Sequence, residues 1–75
     1  MSWNYRIIEK RNPEGEAYYA LHEVHYGKSG EPEGRTTEPC DFGGMTPNDI
    51  ISGLNMAIKD YRKHGILIDP WPDKE

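Results

Sequence analysis

The segment Ala17–Tyr26, AYYALHEVHY, limits the fold more than any other stretch of the chain. Read as a strand, it puts Tyr18, Ala20, His22, Val24 and Tyr26 on one face and Tyr19, Leu21, Glu23 and His25 on the other. Large side chains on both faces belong to a central strand, because an edge position would leave rings and a full row of main-chain groups open to chance pairing. A chain of 75 residues, of which only 35% are hydrophobic, buries little more than roughly 60% of its unfolded surface. Trp3, Tyr5, Ile7, Leu54, Ile58 and Tyr61 therefore carry the expected core, and a deep substrate pocket has no room beside it.

The partner of that strand is Trp3–Lys10, in which Trp3, Tyr5 and Ile7 alternate with Asn4, Arg6, Ile8 and Lys10. Asn12-Pro13-Glu14-Gly15 between them has the residue order of a type I turn. A hairpin with Arg11 opposite Glu16 brings Ile7 against Ala20, Tyr5 against His22 and Trp3 against Val24. The same register puts Ile8 beside Tyr19 and Arg6 beside Leu21, and leaves Arg6 within diagonal reach of Glu23.

After the polar loop 27–32, Glu33–Glu38 reads as a short edge strand stopped by Pro39. Phe42 or Met45 is expected to tuck under the start of the helix that follows. That helix opens at Thr46-Pro47-Asn48-Asp49, with a threonine cap, proline at the first helical position and an acid at the third. Ile50, Leu54, Ala57, Ile58 and Tyr61 form one apolar stripe, and Lys59, Arg62, Lys63 and His64 suit the C-terminal end before a Gly65 cap. Gly53 within the stripe costs about 1 kcal/mol against alanine and is explained if it admits a ring, Trp3 or Tyr5. Ile66–Ile68 is β-prone, and whether it forms a strand is left open. The expectation is α+β: a three-stranded antiparallel sheet in the order β-β-β-α, with room for a short fourth strand, and one amphipathic helix on one face. Residues 1–69 make one domain and 70–75 a flexible Pro-Trp-Pro tail, with Trp71 either folded back or held for a partner.

The segments Trp3-Asn4-Tyr5-Arg6-Ile7, Leu21-His22-Glu23-Val24 followed by Tyr26-Gly27, Glu38-Pro39, and the helix followed by Ile66-Leu67-Ile68-Asp69 resemble a group of small bacterial and phage-type proteins. Members open with W-N-Y-R and carry I-H-E-V-Y-Y, a T-x-(D/E)-P stretch and one amphipathic helix. This chain departs from that pattern at Leu21, His25 and Arg35, where the group has Ile, Tyr and Trp, and in its tail. The group has no established activity, so the resemblance brings no catalytic or binding residue with it.

Thirteen acidic against nine basic residues, a net charge of −4, oppose general phosphate binding and favour solubility, and they leave a basic protein surface open as a partner. Cys40, the single cysteine, points to a reducing compartment, and the absence of a signal-like or membrane-spanning run points to the cytoplasm. His22 and His25 lie three apart on a strand and so face opposite ways; His22 suits a core-edge imidazole bonded to a tyrosine hydroxyl or a main-chain carbonyl, and His25 a solvated surface residue. Cys40 beside a loop suits plain burial rather than a Cys–His pair, and Asp49 a helix cap rather than one of two paired acids. Gly43-Gly44 lacks a phosphate-loop lysine. No metal, cofactor or catalytic residue is expected.

The functional expectation rests on the sheet face that one helix leaves uncovered. There Arg6, Ile8, Tyr19, Leu21 and His25, with Trp71 from the tail, form a partner-binding set for a non-enzymatic interaction module, a small accessory or inhibitor protein, or a homodimer. The alternative uses Arg6, Lys10, Tyr19 and His25 as a platform for single-stranded nucleic acid.

Overall fold

The computed structural model describes residues 2–71. Strands β1 (Ser2–Arg11), β2 (Ala17–Tyr26) and β3 (Pro32–Arg35) precede helix α1 (Pro47–His64), which leads into strand β4 (Ile66–Ile68). The sheet order is β3-β2-β1-β4. The first three strands are antiparallel, and β4 joins β1 in parallel, so the α+β fold has a mixed four-stranded sheet and a single helix. Among the described residues, no helix is long and apolar enough to cross a membrane.

The hairpin turn sets which side chains share a face. Gly15 N–H donates to Asn12 O at 2.9 Å and Asn12 N–H to Glu16 O at 3.0 Å, while Gly15 sits at φ 85°. This is a type I turn closed by a left-handed glycine bulge. It aligns Arg11 with Ala17, Ile8 with Ala20 and Arg6 with His22. The register is thus one residue away from the Arg11–Glu16 pairing expected from sequence, and every facing relation between β1 and β2 is inverted. Trp3, Tyr5 and Ile7 share a face with Tyr19, Leu21, Glu23 and His25, while Arg6, Ile8 and Lys10 share the other with Ala20, His22 and Val24. Arg6 and Glu23 consequently lie on opposite sides of the sheet. The second turn repeats the device: Gly30 N–H donates to Gly27 O and Gly27 N–H to Glu31 O, both at 3.0 Å, with Gly30 at φ 83°.

Helix α1 starts as its sequence dictates. Thr46 Oγ1 accepts from Asp49 N–H at 3.3 Å, and Asp49 Oδ2 accepts from the N–H groups of Thr46 and Met45 at 3.2 and 2.9 Å. It ends at Gly65, φ 71°, whose N–H donates to Tyr61 O at 2.8 Å. The ring that Gly53 admits belongs to Phe42: a Cβ there would lie 2.6 Å from Phe42 Cδ1, and the same ring packs 5.4 Å from Tyr5. Phe42 therefore wedges between helix and sheet, whereas Met45 is 96% exposed. Asp60 Oδ2 accepts the main-chain N–H of Tyr5 at 3.0 Å. This closes the edge of β1 below the point where β4 begins, at the row of Ile7.

The opposite face carries no second layer of secondary structure, yet Ile8, His22 and Val24 on it are each 0% exposed and Lys10 is buried. Irregular chain closes this side. β3 is shorter than the Glu33–Glu38 strand expected from sequence; beyond Arg35, Thr36 gives its carbonyl and hydroxyl oxygens to His22 Nδ1 at 2.9 and 3.1 Å. At the other edge Asp69 N–H extends the β4 ladder to Glu9 O at 3.0 Å. Its carboxylate accepts from Trp71 N–H at 3.0 Å and lies 3.8 Å from Arg35 Nε, with both ion-pair side chains under 8% exposed (6% and 7%). Trp71, half-buried, borders a small cavity with Gly34, Arg35 and Thr37. The chain leaving β4 therefore crosses this face toward the opposite edge of the sheet. The remainder of the expected flexible tail, residues 72–75, lies outside the described residues.

Candidate functional site

The residues expected to form one partner-binding face are divided between two. Ile8 is fully buried on the face without a helix, and there it can act only as core. Arg6 shares that face and is tied internally: Nη1 donates to Tyr26 Oη at 3.0 Å, Tyr26 Oη donates to Asn4 Oδ1 at 2.8 Å, and Nη2 donates to His64 O at 3.4 Å. These groups wall a shallow cleft of about 440 Å³ at one end of the sheet, with Trp3 and Pro32 on its rim. Trp71 stands beside β3. Tyr19, Leu21 and His25 stay together on the helix-bearing face, where Tyr19 and His25 are exposed and Leu21 half-buried. The glycine bulge produces this division, because a one-residue shift moves a whole strand's side chains to the other side of its partner.

On the helix-bearing face the apolar stripe does not seat fully. Ala57 is its one buried member, while Leu54, Ile58 and Tyr61 are 41%, 49% and 44% exposed. Between helix and sheet a groove of about 200 Å³ is lined by Ile7, Leu21, Ala57, Ile58 and Tyr61. Tyr19 flanks it from β2, and Ile66 and Ile68, 47% and 72% exposed, flank it from β4. Ile58, Tyr61, Ile66 and Ile68 were not among the partner-binding residues expected from sequence. Their signal was a stripe of β-branched and aromatic residues followed at once by Ile-Leu-Ile, more apolar surface than one small sheet face can cover.

Two titratable side chains of the domain hold their protons more tightly than usual. Burial, followed by the charges of Glu23, Cys40 and Asp60, raises the Tyr5 hydroxyl above its ordinary value of 10.0. Burial and then Glu23 raise the Cys40 thiol above 9.0, so the sulfur stays protonated and poorly nucleophilic. His22 bonds a main-chain carbonyl as expected but is wholly buried rather than at the edge of the core, and His25 lies exposed on the other side. Among the described residues, no three His, Cys, Asp or Glu side chains cluster closely enough to hold a metal ion. The arrangement offers apolar contact area and main-chain edges.

Comparison of the chain with protein-family models, with curated proteins and with solved structures found no match.

Proposed function

We propose that the chain is a non-enzymatic protein-interaction module of the cytoplasm, a small accessory or inhibitor protein of bacterial or phage type. Its contact surface is the helix-bearing side of the sheet, around the groove. The observation that carries this reading is the apolar groove of about 200 Å³ between Ile7, Leu21, Ala57, Ile58 and Tyr61, with exposed Tyr19 on its margin. Contiguous exposed apolar surface of this kind serves a partner more readily than it serves solvent. A partner supplies an apolar helix face or extended segment to fill the groove, and the acidic net charge favours one with a basic rim. The alternative, a single-strand platform, needs Arg6 and Lys10 beside Tyr19 and His25, and the register separates those pairs onto opposite faces.

The test compares wild type with Tyr19→Glu and Ile58→Glu after circular dichroism has verified each fold. Affinity isolation from a bacterial host, read by mass spectrometry, is expected to recover one stoichiometric protein with wild type and to lose it with both variants. Retention by both variants contradicts the reading, as does a salt-dependent shift of labelled single strands by wild type at about 0.15 M salt.

A further inference from the structure

The sheet has an unequal pair of edges. The β3 edge is guarded by Pro32 and by an irregularity in its pairing at His25/Tyr26, devices that ordinarily prevent strand addition. The lower part of β1 is closed by the Asp60 carboxylate. β4 has neither protection. It is the outermost strand on its side, it contains no charge or proline, and Ile68 is 72% exposed.

Because Asp69 N–H bonds to Glu9 O, and main-chain groups alternate direction along a strand, those of Leu67 point at β1 and those of Ile66 and Ile68 point outward. We infer that β4 pairs antiparallel with β4 of a second copy about a two-fold axis through Leu67, joining two sheets into one of eight strands. Ile66 of each copy then exchanges both main-chain bonds with Ile68 of the other, and every outward group of the strand is used. The Ile66 and Ile68 side chains, on the Ile7 side of the sheet by their register, stack across the axis as β-branched pairs. A mixed partner would have to reproduce the spacing that the segment already matches in itself. Three residues per copy make a small interface, so the association is weak and transient. The inference rests on the interaction-module reading and names a second copy as one partner, held by the edge and not by the groove.

Light scattering at roughly millimolar protein is expected to give a mass rising from 8.6 kDa toward twice that value. Ile68→Lys is expected to return it to the monomer with an unchanged circular dichroism spectrum. In a Cys40→Ser background, Leu67→Cys places its thiols across a non-hydrogen-bonded pair about 4.5 Å apart at Cα, so mild oxidant gives a disulfide dimer. Ile68→Cys alone, diagonal across the axis and beyond the roughly 7 Å limit, cross-links at least ten times more slowly. A strictly monomeric wild type overturns the inference, and so does equal cross-linking from the two positions. A dimer that survives Ile68→Lys but is lost in Tyr19→Glu overturns the edge and leaves the face reading standing. Loss of partner capture in Tyr19→Glu with a strictly monomeric wild type does the same.

Discussion

The two faces of the sheet are built in opposite ways. The face with the helix leaves Leu54, Ile58 and Tyr61 more than 40% exposed (41%, 49% and 44%), whereas the face with no helix holds Ile8, His22 and Val24 at 0%. An apolar helix stripe is therefore no guarantee of the deepest core. Here the tight packing comes from side chains of the two long strands, closed in by Thr36 and by the turn at Asp69. The helix instead touches the sheet through Phe42, Ala57 and the Asp60 bond, and leaves a groove beside them. The difference separates stability from recognition: one face holds the domain together while the other presents surface.

The largest test of this contrast introduces one carboxylate on each side. Val24→Asp buries a charge in the tight face at a cost comparable with the whole stability of a domain this size, about 5 kcal/mol or more, and the variant should be unfolded by circular dichroism at 25 °C. Ile58→Asp, half in water already, should remain folded. Next in size is Asp69→Ala, which removes the acceptor of Trp71 N–H and the carboxylate beside Arg35. Chemical denaturation should show a loss of about 2 kcal/mol, with a red shift of tryptophan emission as Trp71 moves into water. Gly15→Ala forces a side chain into the left-handed region at φ 85° and should cost about 1–2 kcal/mol; a neutral result would mean that the bulge does not fix the register.

The smallest effects are those of alkaline pH. The folded state holds the Tyr5 and Cys40 protons above their ordinary values of 10.0 and 9.0. Their contribution is fully present below those values and falls as pH rises, because the unfolded chain ionises first. Denaturation midpoints should decline through this window, and the decline should lessen in Tyr5→Phe. At pH 8, alkylation of Cys40 should be slower in the native protein than in urea.

Much of the fold was legible because it depends on neighbours in sequence. The two long strands, the capping box at Thr46 and Asp49, and the Gly65 stop all follow from local chemistry and stand where that chemistry places them. The register was not legible in the same way. Asn12-Pro13-Glu14-Gly15 suits a turn of either parity, and the choice depends on whether Gly15 adopts positive φ within the hairpin. The candidate site depended on that choice, so Arg6 and Ile8 went to one face while Tyr19 and Leu21 stayed on the other. The ring at Gly53 was legible only in part: Phe42 was a candidate to tuck under the helix start, but that it, and not Trp3 or Tyr5, fills the space at Gly53 depends on long-range packing that no periodicity marks. The bond from Trp71 back to Asp69 is local, but the placement of Asp69 against Arg35 spans the whole sheet.

The claim that the face without a helix is the structural core is tested most directly by urea denaturation of Ile8→Ala beside Leu54→Ala. The account predicts a loss of roughly 2–5 kcal/mol for Ile8, which is wholly buried, and about 1 kcal/mol for Leu54, which is not. Equal losses, or a greater loss at Leu54, would contradict it.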